Sequence, residues 1–250
     1  MNRLNGYAIK GEASKFDTLA KILEKHSIAY RTVCLWRVEN KWYKQLTATQ
    51  VRKCWWKVAR LAKRNANDYQ YVHVEIDKAD GSKRPLSVPP LHWRVWANMK
   101  YTFTWIWLRN HGYPSWNHGG IAERGVNSCW KELWLNVLSK KYKNIYEYDL
   151  SKFFDRVRHS VIKEALRAAK MPPRLNTWCL ESLQNKRGKV PHDVRAKLLD
   201  VKMGLSPTWG EVANRLSSRT ITKMEQFSKV GVPQGYSLSP ILACLGKAIA

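Results

Sequence analysis

The 250-residue sequence predicts an α+β fold, because stretches with two different hydrophobic periods follow one another along the chain. Apolar residues recur at helical spacing over residues 14–29 and 47–64. Residues 71–77 and 144–150 alternate between apolar and polar side chains, which is typical of half-buried strands. A chain of this length can bury one large core or two small ones.

The composition indicates a folded and strongly basic protein. The chain has 44 Lys and Arg against 19 Asp and Glu, a formal net charge of +25, and 44% of its residues are hydrophobic. This hydrophobic content excludes a disordered tail. The charge makes nucleic acid the leading class of partner, ahead of an anionic membrane surface.

Cysteine spacing and the N-terminus indicate an intracellular protein. The five cysteines show no CxxC spacing, which predicts neither a disulfide framework nor a zinc site. The N-terminal residues lack the apolar segment of a secretory signal, and no run is long enough to span a bilayer, so we expect no membrane partner.

Tryptophan is abundant, with 13 residues in 250. One explanation is a Trp-rich core together with surfaces that stack on bases. The other is a genetic code that reads a stop codon as Trp, which would indicate an organelle, such as the mitochondrion, or something that replicates inside one. Composition leaves both explanations open.

Two helices are predicted before residue 70. Residues 14–29 form the first, and Thr47 or Thr49 is expected to N-cap a second that ends near Arg64. Basic side chains surround the apolar stripe of the second helix, which indicates either a nucleic-acid contact or an ordinary solvated face. The residues expected to contact nucleic acid are Arg52, Lys53, Lys57 and Arg60.

A β-hairpin is predicted over residues 71–88. The Asp80-Gly81 pair is a strong turn signal between two strand-like stretches. Lys83 and Arg84 place two adjacent cations on the second arm.

Helices at 92–109 and 128–138 are predicted next, with a Gly-, Asn- and Pro-rich loop at 111–127 between them. Further helices are expected at 159–170 and after Pro172.

Residues 144–150 are predicted to be a central strand with Tyr146 and Tyr148 on its buried face. Glu147 and Asp149 would then point toward a cleft. Asp149, at the end of the strand, could bind a Mg²⁺ ion that also holds nucleotide phosphates, or could simply cap the following turn.

The end of the chain carries a second recognisable loop. Residues 186–229 are polar and give no clear pattern, whereas residues 231–235 predict a tight loop. Ser239 is expected to N-cap a helix with Pro240 at its first position.

Four segments, in the same order, resemble those of reverse transcriptases, especially the group II intron and mitochondrial retroelement branch. Residues 148–155 (YDLSKFFD) resemble motif A, and residues 231–240 (GVPQGYSLSP) resemble motif B. Residues 83–89 (KRPLSVP) resemble the fingers hairpin, and residues 118–125 a degraded HG-F-x-P-G-R segment. The resemblance spans residues 70–250.

The resemblance implies roles for the site residues. Asp149 would be the catalytic aspartate that binds Mg²⁺, with the Leu150 carbonyl as a candidate second ligand. Lys83 and Arg84 would hold the incoming triphosphate. Phe154 would lie beneath the sugar, where its bulk clashes with a ribose 2′-OH and favours deoxynucleotides.

Three more residues acquire roles by the same resemblance. Gln234 and Gly235 would lie against the nucleotide and the template strand, since glycine lets a backbone approach a base pair closely. Arg124 would contact nucleic acid. The implied partners are an RNA template, a primer and nucleoside triphosphates.

The resemblance also implies a right-hand polymerase architecture. Residues 1–69 would be a basic helical extension, residues 70–143 the fingers with the hairpin, and residues 144–250 part of the palm. Residues 1–69 carry no motif of the family.

The sequence departs from the pattern of the family in one respect. The family's motif C carries an Asp-Asp pair that binds metal, and no Asp-Asp dipeptide occurs in the 250 residues. Motif C and the thumb would therefore come from a downstream segment or a second chain, and we expect the 250 residues alone to be inactive. The sequence ends inside the motif B helix, which suggests the front part of a longer polymerase, a split polymerase or a degenerate relative.

The alternative functions are an RNA-dependent RNA polymerase of a mitochondrial-type virus and a non-catalytic, maturase-like RNA-binding protein.

Overall fold

The computed structural model describes residues 1–39, 44–67, 71–77, 79–119, 123–140, 142, 144–148, 153–184, 186–189, 223–226, 230–235 and 237–247. The helices in this part of the chain are α1 (Asn2–Ile9), α2 (Ala13–His26), α3 (Ile28–Glu39), α4 (Ala48–Arg64), α5 (Leu91–Leu108), α6 (Val126–Leu138), α7 (Phe153–Arg156), α8 (His159–Ala168), α9 (Pro173–Ser182) and α10 (Ser239–Lys247). The strands are β1 (Tyr71–Asp77), β2 (Lys83–Val88), β3 (Lys186–Lys189) and β4 (Lys223–Gln226).

The predicted helix over residues 14–29 is confirmed, but it ends earlier than the periodicity indicates. Ser27 adopts an extended conformation after α2, and its Oγ accepts a hydrogen bond of 3.1 Å from the Tyr30 N–H. A serine hydroxyl that accepts from a first-turn amide starts a new helix. The chain therefore turns at Ser27 and continues as α3.

Helix α4 begins as the sequence predicts. Thr47 is its N-cap and forms a capping box with Gln50, in which each side chain accepts a hydrogen bond from the other residue's backbone N–H. The helix ends where Asn65 takes a left-handed conformation with φ of 50°. A left-handed Asn at this position is a common helix stop.

The predicted hairpin is confirmed in its pairing and its turn. Strands β1 and β2 are antiparallel, with Asp77 opposite Lys83. Gly81 has φ of 75°, a conformation that favours glycine, and Asp80 Oδ1 accepts hydrogen bonds from Ser82. The sheet continues in the order β2-β1-β3-β4, so its other two strands come from the stretch that the sequence pattern left unassigned.

The prediction of a strand over residues 144–150 is wrong for the part that the structure describes. Residues 144–148 form no strand, and Tyr146 and Tyr148 are 73% and 84% exposed rather than buried. An alternating pattern forms a strand only where a neighbour pairs with its backbone, and no described residue pairs with 144–148. Asp149 and Leu150 lie outside the described residues.

Helix α5 is the centre of the core. It packs against α1, α3, α4 and α9, and its buried side chains include Trp96, Met99, Phe103 and Trp107. The Trp107 indole meets the Phe16 ring of α2 edge-on, with ring centroids 5.2 Å apart. The core thus contains residues from 1–69, 70–143 and 144–250, which are the three parts of the predicted architecture.

A buried polar cluster lies within this core. Lys100 Nζ is 2.8 Å from Glu24 Oε1, and Arg174 Nη1 is 2.5 Å from Glu24 Oε2. Lys100 also donates to Asn65 Oδ1 at 2.7 Å and lies over the Trp96 ring, 4.6 Å from its centroid. Burial lowers the pKa of Lys100 to about 8. The cluster therefore joins α2, the end of α4, α5 and α9.

None of the helices in the described ranges combines the length and the apolar character needed to cross a membrane.

Candidate nucleotide and nucleic-acid site

The motif A segment (residues 148–155) and the motif B loop (Gly231–Gly235) meet through backbone hydrogen bonds. The Val232 N–H donates to the Phe154 carbonyl at 2.7 Å, and the Gly231 N–H donates to the Val157 carbonyl at 2.8 Å. A further backbone bridge pairs Arg158 with Val230. Residues some 75 positions apart in sequence are therefore held together at their main chains.

Two left-handed glycines shape the motif B loop. Gly231 has φ of 92° and Gly235 has φ of 87°, conformations that residues with a side chain rarely adopt. Ser239 Oγ donates to the Pro233 carbonyl at 2.5 Å and ties the loop to the start of α10. Gln234 is half-buried and Gly235 is exposed, so the tip of the loop is open to a ligand.

Helix α10 anchors the loop from its other side. Leu238, Ile241, Leu242 and Leu245 are buried, and α10 packs against α8 and α7. Ile241, Leu242 and Leu245 thus form the buried face of this helix. The predicted helix is present, but it begins at Ser239 and not at Pro240, so the prediction that Ser239 is its N-cap is wrong. The Ser239 hydroxyl donates to the Pro233 carbonyl instead.

Phe154 lies on α7, with its carbonyl in the contact with the motif B loop. Its ring is half-buried and meets the Phe153 ring edge-on, with centroids 5.8 Å apart. The side chain is therefore held at the junction of the two motifs, and its role beneath a sugar stays a prediction.

His159, which the sequence predicts only as the start of a helix, also contacts the motif B loop. Its Nε2 lies 2.7 Å from the Gly231 carbonyl and adds a side-chain contact between α8 and the loop. A histidine four residues after Asp155 gives no signal for this role, because the contact joins residues 72 positions apart.

The hairpin register places the backbone of both predicted triphosphate-binding cations. In the β1–β2 register Lys83 pairs with Asp77 and Arg84 with Ile76, which puts both cations at the turn end of β2. Asp149 lies outside the described residues, so its role at Mg²⁺ and the role of Lys83 and Arg84 at the triphosphate stay predictions.

Helix α4 exposes its basic residues. Its apolar face, including Cys54, Val58 and Leu61, is buried in the core. The cations predicted to contact nucleic acid, which are all exposed, are Arg52, Lys53, Lys57 and Arg60.

Arg124 organises the loop before α6. Its Nη1 donates to the carbonyls of Pro114, Ser115 and Asn117 at 2.6–3.2 Å. His118 adds contacts to the first turns of α6, with ring nitrogens 2.8 Å from Ser128 Oγ and Glu132 Oε2. His118 and Arg124 thus make structural contacts, and nucleic-acid contact by Arg124 stays a prediction.

Carboxylates suited to a metal are not assembled in the described part of the chain. No group of three or more His, Cys, Asp or Glu side chains there could hold a metal ion. Asp149, the predicted ligand, is outside that part.

Comparison with protein families identifies the chain. The family model described as "Reverse transcriptase (RNA-dependent DNA polymerase)" matches residues 76–246. The chain belongs to the reverse transcriptase family. A search of curated proteins finds no significant match.

Family membership fixes the general chemistry of this reverse transcriptase-family chain. Its members have a polymerase fold, carry out nucleotidyl transfer on an RNA template with nucleotide substrates, and generally use a divalent metal. The match includes the contact between α7 and the motif B loop. Helices α1–α4 precede the matched residues.

Proposed function

We propose that this chain is the fingers and partial palm of an RNA-directed DNA polymerase of the group II intron or mitochondrial retroelement type. The observation that carries the proposal is the backbone contact between Phe154 and Val232 inside the matched region. The contact puts the aromatic residue of motif A beside the glycine loop of motif B.

The reaction is template-directed addition of a nucleotide to a primer. The primer 3′-OH loses its proton to water and its oxygen forms a bond to the α-phosphorus of the incoming nucleotide. The bond between that phosphorus and the oxygen that bridges it to the β-phosphate breaks, and pyrophosphate leaves with its electrons. Lys83 and Arg84 hold the triphosphate by charge-assisted hydrogen bonds. Gln234 and Gly235 at the exposed loop tip support the base pair.

Phe154 selects deoxynucleotides in this proposal. The hydrogen bond from the Val232 N–H to its carbonyl fixes the backbone from which the side chain projects, and its ring packs edge-on against Phe153. A ribose 2′-OH would therefore meet a fixed aromatic ring and lose its hydrogen bonds to water.

A divalent metal is part of the proposed site. Asp149 and the Leu150 carbonyl would hold Mg²⁺, which supplies compensation for the negative charge that develops on the phosphates. Since the described residues add no cluster of carboxylates, a segment with an Asp-Asp pair, from a downstream region or a second chain, completes the site.

RNA template and primer bind along basic surfaces of the chain. The exposed cations Arg52, Lys53, Lys57 and Arg60 of α4 contact the backbone phosphates, and Arg124 adds a contact from its loop. The high Trp content and the resemblance to mitochondrial retroelements favour a mitochondrial protein.

A primer-extension assay tests the proposal. The chain is fused to a reverse transcriptase segment that supplies motif C and the thumb, and is given an RNA template, a DNA primer and either deoxy- or ribonucleotides. We expect extension with deoxynucleotides and none for Asp149→Asn. Phe154→Val should raise ribonucleotide use at least tenfold, whereas the matched control Phe153→Val should leave the preference unchanged.

The other outcomes decide between the alternatives. A preference of the unchanged fusion for ribonucleotides would support an RNA-dependent RNA polymerase. RNA binding without extension in an otherwise folded fusion would support a non-catalytic RNA-binding protein.

A further inference from the structure

Helix α6 turns a polar face toward its own chain and an apolar face toward solvent. His118, in the loop before the helix, has ring nitrogens 2.8 Å from Ser128 Oγ and from Glu132 Oε2. Trp130 and Trp134 each follow one of these two residues by two positions, which is about 200° around a helix. They are 55% and 57% exposed, and none of the 13 residues of α6 is buried.

The exposed side of α6 carries a regular apolar stripe. Val126, Trp130, Trp134 and Leu138 follow one another at intervals of four residues, so they share one face along the whole helix. All four are exposed. A helix of a folded protein normally buries such a stripe, and a contiguous apolar patch left on a surface usually marks an interaction site.

The stripe is symmetric about the middle of the helix, at residue 132. If a second α6 lay antiparallel with its middle at the same point, Trp130 would meet the partner's Trp134, and Val126 would meet the partner's Leu138. Every contact would be apolar and would occur twice, which is the pattern of a two-fold symmetric interface. Rows of side chains four residues apart pack into one another when two helices cross at about 50°.

The charge of α6 suits a second copy of the chain and not a polyanion. Its charged residues are Lys131 and Glu132, which cancel, whereas the whole chain has a net charge of +25. Nucleic acid binds through clustered cations, which this helix lacks. Two copies of the chain repel each other over their basic surfaces, so a neutral and apolar face is where they can approach most closely.

The apolar area of the face is enough for a small dimer interface. A tryptophan can bury about 150–250 Å², so the exposed parts of Trp130 and Trp134 leave about 170–280 Å² per chain. This is roughly a fifth to a third of the ~800 Å² that each partner contributes to a standard interface. More comes from the exposed aliphatic residues of α6, which are Val126, Leu135, Val137 and Leu138.

We propose that α6 is the interface of a homodimer, in which two copies of the chain pack their α6 helices antiparallel through Val126, Trp130, Trp134 and Leu138. The occupant of the exposed face is thus a second copy of the same surface. The interface goes beyond the polymerase proposal and does not depend on it, because none of its residues is assigned to substrate, metal or RNA.

Sedimentation velocity on the nuclease-treated 250-residue chain measures the association. We expect a reversible equilibrium between monomer and dimer at micromolar concentration, without larger species, because a two-fold interface closes on itself. Raising the salt concentration from about 0.15 to 0.5 M should leave the dimer intact or strengthen it, because salt screens the repulsion between the two basic chains. Chains bridged by residual RNA would separate instead.

A substitution in the stripe assigns the dimer to α6. Trp134→Lys should weaken the association at least tenfold, because it places two charges in the apolar interface. Trp56→Lys is the matched control, since Trp56 is a tryptophan of another helix, α4, and is 71% exposed. It should change the association less than twofold, and circular dichroism should show both variants folded.

A mixing experiment tests the antiparallel register. Trp130→Lys and Trp134→Glu should each dimerise poorly alone. Mixed together, they should associate at least fivefold more tightly, because the introduced lysine then faces the introduced glutamate and one native tryptophan pair remains. The control mixture is Trp130→Lys with Trp130→Glu, which brings the same two charges but does not set them opposite each other. It should show little recovery.

Four results would overturn the inference. They are a chain that stays monomeric throughout the micromolar range, equal effects of Trp134→Lys and Trp56→Lys, equal recovery in the two mixtures, and no recovery in either. A fifth is a monomer whose binding of an added motif C and thumb segment is weakened by Trp134→Lys, since that would assign the exposed face of α6 to the segment and not to a second copy.

Discussion

At the scale of single residues, Glu24 is a buried charge in the described structure that depends on its ion-pair partners. Its carboxylate is completely buried between Lys100 and Arg174. Lys100 is equally buried and balances its charge with Glu24, the Asn65 amide and the Trp96 ring. Removing this carboxylate would leave the buried Lys100 ammonium without its ion-pair partner, with Asp17 as a remaining acidic group that acts on Lys100 and Arg174.

Glu24→Gln should therefore lower the free energy of unfolding by about 3–5 kcal/mol, the cost of breaking a buried ion pair. Lys100→Met should cost less, since Glu24 keeps Arg174 and the methionine fills apolar space. The measurement is urea denaturation followed by tryptophan fluorescence. Glu12→Gln, which breaks an exposed pair with Lys15, is the control and should change little. An equally small change for Glu24→Gln would contradict this account of the cluster.

His92 should make stability depend on pH in a defined window. Burial, and then the charge of Lys57, lower its pKa from 6.5 to about 4 in the folded chain, so between these values the unfolded state binds more protons. The free energy of unfolding should consequently rise as pH increases from about 4 to 6.5, with no further contribution from His92 above that range. Denaturation at pH 4.5 and pH 7 measures the difference, and His92→Gln should reduce it. An identical pH dependence in His92→Gln would remove His92 as a source.

At the scale of elements, the motif B loop has a conformation that its sequence requires. Gly231 is buried in a left-handed conformation, and both its N–H and its carbonyl are bonded, to Val157 and His159. The loop cannot relax around a new side chain at that position without losing these contacts.

Gly231→Ala should destabilise the chain by about 1–3 kcal/mol, the cost of a residue held in a sparsely populated backbone conformation. Gly6→Ala offers a matched control, because Gly6 lies within α1 and an added Cβ there meets no atom within 4 Å. That control should be neutral or stabilising by about 0.5–1 kcal/mol. Thermal denaturation followed by circular dichroism compares the two, and equal effects would argue against strain at Gly231.

A comparison of helix α4 and the hairpin with residues 144–148 shows which features a local sequence pattern can predict. Helix α4, its Thr47 cap and the hairpin turn at Gly81 depend on neighbours in sequence, and the sequence predicts all three. Residues 144–148 have an equally clear alternating pattern but form no strand, because strand formation also requires a pairing partner.

At the scale of the whole molecule, charge dominates the expected behaviour. The net charge of +25 should give RNA binding with little sequence preference. If the chain neutralises about six to ten phosphates, affinity should fall by about 10³–10⁵ between 50 and 200 mM salt. Anisotropy titrations with RNAs of unrelated sequence measure this, and salt-independent binding would contradict the electrostatic account.

The isolated 250 residues should bind RNA but not extend a primer. The transition state of nucleotidyl transfer needs carboxylates that fix metal ions, and the sequence contains no Asp-Asp pair to add to Asp149. Extension with Mg²⁺ or Mn²⁺ should be undetectable on gels that resolve single nucleotides. It should appear when a segment with motif C and a thumb is supplied, and Asp155→Asn, unlike Asp149→Asn, should then retain it. Extension by the 250 residues alone would show that other carboxylates serve the reaction.

The sequence by itself determined the features that depend on residue type and near neighbours. These are the basic character, the N-cap of α4 at Thr47, the hairpin, and the motifs that match the reverse transcriptase family. Only the tertiary structure decided the contact of Phe154 with Val232 and the buried cluster around Glu24. Each of these joins residues far apart in the chain, and such contacts are fixed by tertiary packing, which no periodicity in the sequence encodes.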